Sequence, residues 1–248
     1  MIDLSGKTAL ITGGGGGVGA AMALAFAEAG AGVWISGRSE HRLHAVAARH
    51  ERISSIVADV TDEQSVRAMF AASGPVDIVI ANAGASASAP FVKTDLGSWQ
   101  NMMAVNLTGV FLTLREGLRQ ISDRGGRLIA VASTAGLKGY AYVAPYAAAK
   151  HGVVGMVRSL ALEIAKTRTT VNAICPGFLD SEMTDRSVAN IMEKTGMDAA
   201  KARAVLAGHN PQGRLIQPRE VADTALWLCG EGAAGVNGQA ISVSGGEV

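Results

Sequence analysis

A tyrosine and a lysine stand four residues apart in the stretch YAAAK, as Tyr146 and Lys150. Positions i and i+4 of a helix share a face, so the ammonium group would lie beside the phenol. A neighbouring positive charge favours the phenolate and lowers a tyrosine pKa that is ordinarily about 10. The spacing therefore predicts a tyrosine that exchanges protons with a reacting oxygen near neutral pH.

A serine is placed to act on the same oxygen. Ser133 ends the apolar run RLIAVAS and precedes Tyr146 by thirteen residues. If this run is a buried strand, the serine lies at its carboxyl end, which is where open α/β sheets bind their ligands. Its hydroxyl would then hydrogen-bond the carbonyl oxygen that Tyr146 protonates.

Five consecutive glycines form a second motif, in the stretch TGGGGGVG at 12–19. The motif follows the apolar run TALIT and precedes a helical pattern. It would therefore bring free backbone N–H groups and the positive end of a helix dipole together. Such an arrangement binds anions, and we expect a pyrophosphate there.

The second apolar run, GVWIS, is followed by Gly37 and Arg38. An NAD-binding site carries an acidic residue for the ribose hydroxyls at this place, about twenty residues after the glycines. A guanidinium instead binds a 2′-phosphate through charge-assisted, bidentate hydrogen bonds, and Ser39 and Arg42 are close enough in sequence to assist. Arg38 therefore predicts NADP as cofactor, with NAD as the alternative.

Seven apolar runs alternate with helical patterns along the chain. The runs lie at 8–12, 32–36, 53–58, 76–84, 127–133, 170–177 and 239–245. The helical patterns lie near 18–29, 40–49, 62–72, 95–121, 143–166 and 218–229. The alternation predicts an α/β fold with a doubly wound, seven-stranded parallel sheet that carries helices on both faces. We interpret residues 1–248 as a single domain, in which residues 178–216 have no place in the alternation and form a candidate substrate lid.

The composition argues against several classes of partner. With 22 basic and 21 acidic residues, the chain has no general field that would attract nucleic acid or an anionic membrane. Its most apolar stretch is too short to cross a bilayer. His41 and His44 have no third ligand nearby in sequence, so we expect no metal. The start MIDLSGK has no signal-peptide pattern, and Cys175 and Cys229 have no redox or metal spacing, which predicts a reduced, cytoplasmic protein.

The glycine spacing resembles the TGxxxGxG motif of the short-chain dehydrogenase/reductase family, and the resemblance extends over essentially the whole chain. It implies a Rossmann fold that binds a dinucleotide, and it assigns Gly14, Gly15 and Gly16 to the variable positions of the motif. The residues that it implies as cofactor contacts are Gly13, Gly17, Val18, Gly19, Arg38, Asp59, Val60, Asn82, Ala83, Gly84, Tyr146, Lys150, Pro176, Gly177 and Ser181. The catalytic set that it implies is Asn106, Ser133, Tyr146 and Lys150. In this set Lys150 also holds the nicotinamide ribose, and Asn106 interrupts its helix and keeps a water next to Lys150.

Two positions depart from the family pattern. Ala81 stands in place of the first asparagine of the NNAG motif, a common replacement. Gly16 stands where many NADP-using relatives carry a basic residue. The second departure predicts that the preference for NADP is moderate.

The closing part of the chain, GRLIQPREVADTALWLCGEGAAGVNGQAISVSGGEV, resembles the β-ketoacyl and polyketide ketoreductases. This implies NADPH-dependent reduction of a 3-oxoacyl thioester or a related ketone. One alternative is an NAD(P)-dependent secondary-alcohol dehydrogenase of a degradative pathway. Another is a dinucleotide-sensing protein without turnover, which has no need of a proton donor such as Tyr146.

The resemblance also implies partners. Family members usually form tetramers through helices that correspond to 95–121 and 143–166, and a face of small residues would let such helices approach closely. Those residues are Ala147, Ala148, Gly152 and Gly155. An acyl carrier protein or a CoA phosphate would find a basic group in Arg119, Arg124, Lys166 and Arg168, although scattered surface cations are the more common case.

The candidate lid carries apolar residues of its own. They are Phe178, Leu179, Met183, Met192 and Met197. Methionine is unbranched and repacks easily, so these side chains suit an adaptable substrate surface. They would equally well hold the helices of the lid together.

Overall fold

A computed structural model describes residues 2–121 and 125–248. Seven parallel strands form one sheet in the order β3-β2-β1-β4-β5-β6-β7. The strands are β1 (Thr8–Thr12), β2 (Gly32–Gly37), β3 (Ile53–Val57), β4 (Ile78–Ala81), β5 (Arg127–Val131), β6 (Thr170–Pro176) and β7 (Ala240–Val243). The predicted fold is confirmed, and each strand lies within the apolar run that predicted it or extends one residue beyond it.

Both faces of this sheet are covered, which is why its central strands, such as β1 and β4, are predominantly apolar. Neighbouring residues of β1 enter different cores, since Leu10 packs into one cluster and Ile11 into the other. All seven residues of β6 are buried. A strand that alternated apolar and polar residues would place polar groups in one of these cores.

Helices cover the two faces and connect the strands. They are α1 (Gly17–Glu28), α2 (Glu40–Ala47), α3 (Glu63–Ser73), α4 (Leu96–Met103), α5 (Gly109–Gln120), α6 (Ala144–Glu163), α7 (Glu182–Thr195), α8 (Ala199–Ala207) and α9 (Pro218–Cys229). Asp62 caps α3, because its side chain accepts a hydrogen bond from the Gln64 N–H. Pro218 begins α9, as its fixed φ angle favours.

The predicted helix at 95–121 is divided in the structure. A π-helical turn, Ala104–Thr108, separates α4 from α5. Asn106 lies in this turn and donates a side-chain hydrogen bond of 3.1 Å to the carbonyl of Met102, four residues earlier. Side-chain bonding of this kind competes with the backbone ladder, and it explains why the helix departs from α geometry here.

Residues 178–216, the candidate lid, contain α7 and α8 and have a small core of their own. Val188, Ala202, Leu206 and Leu215 are its buried members. The buried side chain of Asn210 connects the two ends of the segment: its amide donates to the carbonyls of Phe178 and Arg214, and its oxygen accepts from the Phe178 N–H. The segment is therefore anchored at its base beside the end of β6.

No helix among residues 2–121 and 125–248 is long and apolar enough to cross a membrane.

Candidate active site

A cavity of about 1500 Å³ opens at the carboxyl ends of the strands and extends from the glycine motif to the candidate lid. The order of the strands reverses between β1 and β4, which is where a doubly wound sheet forms its ligand crevice. The sequence-predicted residues in the cavity wall are Gly13, Gly17, Val18, Gly19, Arg38, Asn82, Ala83, Gly84, Asn106, Ser133, Tyr146, Lys150, Pro176, Gly177 and Ser181. Asp59 and Val60 lie outside the wall: the Asp59 carboxylate accepts two hydrogen bonds from Thr61, and Val60 packs where a Cβ on Gly109 would be.

Three glycines of the 12–19 motif are required by close packing. A Cβ on Gly13 would lie 2.8 Å from the Cα of Ala83, and one on Gly19 would lie 2.3 Å from the carbonyl oxygen of Gly13. Gly14 is equally constrained, since its Cβ would approach Ile35 to 2.5 Å. The resemblance assigned Gly14 to a variable position, and the contact with β2 shows that it too has no room for a side chain.

Gly17 faces open space instead. It has a φ of +52° and nothing within 4 Å of a built Cβ, at the N-terminus of α1 in the cavity wall. Only glycine adopts this backbone conformation at low cost, and the bare backbone lets a phosphate reach the N–H groups of the helix. The motif therefore fits the pyrophosphate of a dinucleotide.

Thr12 and Asn82 hold the glycine motif against the end of β4. The Thr12 hydroxyl accepts hydrogen bonds of 3.1 Å from the backbone N–H groups of Asn82 and Ala83. The Asn82 side chain donates to the carbonyl of Thr12 at 2.9 Å and to that of Gly13 at 3.3 Å. These bonds fix the distance between the phosphate-binding turn and the following part of the cavity.

The end of β2 carries the groups that would select a cofactor. Arg38 is exposed and lines the cavity. It lies near Asp59, whose pKa is lowered first by the Thr61 N–H and less strongly by this guanidinium. Gly37 has room for a side chain, because the nearest atom to a built Cβ is a Leu43 methyl at 3.7 Å.

Lys150 is buried in α6 and donates a hydrogen bond of 2.8 Å to the carbonyl of Val131, at the end of β5. Its Nζ lies 5.6 Å from the centre of the Tyr146 ring. Burial lowers the pKa of Lys150 to about 8, because the ammonium has lost most of its water. The ammonium is therefore close to losing its proton in mildly alkaline solution.

The pKa of Tyr146 moves in the opposite direction to our expectation. Burial raises it, and the hydrogen bond with the Ser133 hydroxyl acts against this rise. Lys150 does not reverse the effect: its Nζ lies 5.6 Å from the centre of the Tyr146 ring and donates to the Val131 carbonyl. In the chain without ligand the phenol is therefore protonated at neutral pH, which is the form that donates a proton.

Asn106 shapes the floor of the cavity beside these residues. Its side chain holds the backbone of Ala85, accepting from the N–H at 3.2 Å and donating to the carbonyl at 2.9 Å. A Cβ on Gly84 would lie 2.9 Å from the Asn106 oxygen and 3.7 Å from the Lys150 Nζ. Gly84 thus leaves space between the amide and the ammonium, where we predicted a water.

Comparison with known proteins decides the family. The family model described as short chain dehydrogenase matches residues 7–191. The chain belongs to the short-chain dehydrogenase family. It is 32% identical to a 3-oxoacyl-[acyl-carrier-protein] reductase, FabG, of Rickettsia conorii, over 99% of this chain and 98% of that one. It is 37% identical to a cis-4-hydroxycyclohexanecarboxylate dehydrogenase of Sinomonas cyclohexanicum, over 76% of this chain and 74% of that one.

The fold is shared with a solved ketoreductase. The crystal structure of a single-residue variant of actinorhodin polyketide ketoreductase with NADPH superposes with a TM-score of 0.92 at 32% identity, covering 100% of this chain and 99% of that one.

The end of the cavity next to the candidate lid is aromatic. Phe178 stacks on His209 with ring centres 4.8 Å apart, and Tyr140 meets Phe178 edge-on at 6.1 Å. All three rings line the cavity, together with Leu179 and Met183 of the candidate lid. Met192 and Met197 lie outside the wall and are 38% and 40% exposed, so the predicted methionine surface is only partly present.

The predicted basic group lies away from the cavity of its own chain. Lys166 and Arg168 precede β6, at the amino ends of the strands, whereas the cavity opens at the carboxyl ends. Arg119 pairs with Glu116 at 2.8 Å, and Arg124 lies outside the described residues. The cations that do line the cavity near the lid are Lys93, Arg186 and Lys194.

Sequence analysis overlooked two carboxylates at this site. The Glu247 side chain is only 3% exposed and accepts a hydrogen bond from the Tyr140 hydroxyl at 2.6 Å, while Lys138 pairs with it at 3.1 Å. Glu182 pairs with Arg42 across the cofactor end of the cavity. Neither belongs to a motif, and Tyr140 and Arg42 are each more than a hundred residues away from these carboxylates in sequence. Among the described residues, no three His, Cys, Asp or Glu side chains form a metal-binding cluster.

We predict that kcat/KM for carbonyl reduction falls as the pH rises above about 8, the pKa of Lys150. Below that pH both Lys150 and Tyr146 hold their protons, so the rate is flat; above it the ammonium loses its charge, and the rate drops about tenfold per pH unit. Initial rates in buffers across the neutral and alkaline range measure this profile.

The matched control is Lys150→Arg, whose guanidinium stays charged throughout this range. We expect a lower plateau but no decline where the wild type declines. A wild-type profile that stays flat well into the alkaline range would show that Lys150 keeps its charge despite its burial.

Proposed function

We propose that this chain is an NADP(H)-dependent oxidoreductase that reduces a ketone to a secondary alcohol, and that its substrate is a 3-oxoacyl thioester or a related ketone. The observation that carries the proposal is a single cavity with a phosphate-binding turn and Arg38 at one end and Ser133, Tyr146 and Lys150 at the other. The relatives named above as a 3-oxoacyl reductase and as a ketoreductase with NADPH support both the reaction and the cofactor.

The residues divide the chemistry between them. A bound nicotinamide supplies the hydride that reaches the carbonyl carbon. Tyr146 gives its proton to the oxygen, and Ser133 hydrogen-bonds the same oxygen as charge develops on it. Lys150 holds the nicotinamide ribose and keeps a positive charge near the phenol. Asn106 fixes the backbone at Ala85 and leaves the space beside Lys150 through which a water would return the proton.

The protonated state of Tyr146 favours the reductive direction. A raised phenol pKa keeps the proton on Tyr146 at neutral pH, and ketone reduction needs that proton for the developing alkoxide. Alcohol oxidation needs the phenolate, so it would need a higher pH in this cavity. A second candidate function is the oxidation of a secondary alcohol. It is supported by the relative named as a cis-4-hydroxycyclohexanecarboxylate dehydrogenase. A sensor without turnover is disfavoured by the presence of Ser133, Tyr146 and Lys150 together.

Several features of the surroundings belong to the proposal. The segment 178–216 would cover the substrate, with Phe178 and Met183 against it and Ser181 on the cofactor. An acyl carrier protein or CoA would present its thioester at the same opening, beside Lys93, Arg186 and Lys194. We also propose a cytoplasmic setting, in which the free thiols of Cys175 and Cys229 stay reduced.

A panel of ketones and 3-oxoacyl thioesters, assayed with NADPH and NADH in both directions, tests the reaction. We expect the highest kcat/KM for reduction of a 3-oxoacyl thioester or a cyclic ketone with NADPH. Tyr146→Phe should bind NADPH as the wild type does but lose turnover by about 10²–10⁴-fold, since only the proton donor is removed. If the variant retained more than about a tenth of the activity, the proton would come from elsewhere.

A second test concerns cofactor choice. Arg38→Ala should weaken the binding of NADPH by about tenfold and leave the binding of NADH nearly unchanged. The reason is that a charge-assisted pair to the 2′-phosphate contributes about 1.5–3 kcal/mol. We expect the lower end of this range since Gly16 provides no second cation. Gly37→Asp should turn the preference toward NADH, and a Cβ at this position makes no clash, its nearest atom being a Leu43 methyl at 3.7 Å. An equal effect of Arg38→Ala on both cofactors would make Arg38 an ordinary solvated residue.

A third test concerns assembly, for which we propose a homotetramer. Helix α4 has no buried residue in the single chain, and Leu96, Trp99 and Phe111 are exposed along α4 and α5. Gly155 faces open space on α6, whereas Gly152 packs on Leu107 within the chain. Light scattering at micromolar concentration should give four times the mass of the chain. A monomer would leave these apolar side chains in water and would contradict the proposal.

A further inference from the structure

An ion pair bridges the cofactor end of the cavity. The guanidinium of Arg42, on α2, lies 2.9 Å from the carboxylate of Glu182, in the first turn of α7. Both residues line the cavity, and their side chains are 55% and 57% exposed. The other ion pair of α7 among the described residues, between Asp185 and Arg203, stays within the candidate lid. The Arg42–Glu182 pair therefore connects the lid to the cofactor side of the sheet.

This pair lies over the phosphate-binding turn. A Cβ on Gly15 would lie 3.2 Å from the Cβ of Arg42, and one on Gly16 would lie 3.7 Å from the Glu182 carboxylate. The turn is the part of the cavity that fits a pyrophosphate. A carboxylate beside it repels any phosphate that enters and is repelled in turn.

Arg42 is also close to Arg38 along the chain, four residues after it. Both line the same cavity, on the side where β2 ends in Gly37. A 2′-phosphate held by Arg38 would find in Arg42 its second cation, the one that Gly16 does not supply. In the free protein this cation is already paired with Glu182.

We propose that Glu182 competes with the 2′-phosphate of NADP for Arg42, so that Glu182 determines cofactor specificity and couples cofactor binding to the position of the lid. The inference rests on the proposed use of NADP. Without cofactor, the Arg42–Glu182 pair holds the start of α7 over the cavity. When the 2′-phosphate binds, Arg42 turns to it, and the released carboxylate moves away from the phosphates together with the first turn of α7.

The test uses two fragments that differ only in the relevant group, adenosine 2′,5′-bisphosphate and adenosine 5′-monophosphate. Their dissociation constants are measured by calorimetry for the wild type, Glu182→Gln, Arg42→Ala and the double variant. Glu193→Gln is the matched control, because it removes the same charge from an exposed position of α7 outside the cavity wall. Arg38→Ala reports on the proposed NADP site independently of the lid.

We expect Glu182→Gln to lower the dissociation constant of the bisphosphate by about two- to fivefold, the range that an exposed ion pair supports. The dissociation constant of the monophosphate should change less. Arg42→Ala should weaken binding of the bisphosphate alone. Adding Glu182→Gln to it should strengthen binding of both fragments by the same factor, because only the direct repulsion between Glu182 and the phosphate common to both fragments then remains. Glu193→Gln should leave both constants unchanged. If Glu182→Gln and Glu193→Gln lowered the dissociation constant of the bisphosphate equally, the effect would come from net charge alone and the proposal would be overturned.

Amide hydrogen exchange tests the coupling to the lid. In the wild type, the bisphosphate should speed exchange of the α7 amides from Asp185 onward, the first of which donates to the Ser181 carbonyl, and the monophosphate should not. If the wild type prefers the bisphosphate and Arg38→Ala abolishes this preference, but Glu182→Gln and α7 exchange show no effect, the competition is refuted while the use of NADP stands. If the wild type shows no preference between the fragments, both proposals fail.

Discussion

The hydrogen bond from the Lys150 ammonium to the carbonyl of Val131 is the contact around which the candidate active site is arranged. A charged group that loses its water is costly unless polar partners replace the water, and here burial lowers the lysine pKa to about 8. The bond joins α6 to the end of β5, which places Tyr146 and Ser133 at the same edge of the sheet. Gly84 can have no side chain because the space next to the ammonium is shared with Asn106. The π-helical turn at Asn106 follows from the same arrangement, since its amide must reach both Ala85 and Met102.

Much of this could be predicted because it depends on residues close together in sequence or on the direction of parallel strands. The apolar runs placed all seven strands, and parallel strands bring their carboxyl ends to one edge, so the glycine motif, Ser133 and Tyr146 had to meet there. The spacing of Tyr146 and Lys150 follows from one turn of helix. Asp62 caps α3 and Pro218 begins α9 through hydrogen bonding and backbone geometry that act within a few residues, so helix starts of this kind can be recognised in a sequence.

What could not be predicted depends on burial and on contacts between distant segments. Burial of the phenol decides the direction in which the Tyr146 pKa moves, and a spacing of four residues does not reveal burial. The family motif leaves Gly14 variable, and its close contact with Ile35 is not visible in the sequence because Ile35 belongs to β2. Glu182 meets Arg42 across 140 residues, through the placement of a lid that has no periodic pattern to fix it. The position of Lys166 and Arg168 also needed the structure, because only the sheet shows that they lie at the amino ends of the strands.

Asn210 closes the 178–216 segment at its base, and this has a consequence for how such a site diversifies. Because one buried amide bonds the backbone at both Phe178 and Arg214, the chain leaves and re-enters the sheet region at nearly the same point. Insertions or exchanges between these two points add little loop-closure entropy and leave β6 and α9 undisturbed. The segment can in this sense be exchanged as a unit. If the proposed function holds, changes confined to α7 and α8 would alter the substrate surface while Ser133 stays at the end of β5 and Tyr146 and Lys150 stay on α6.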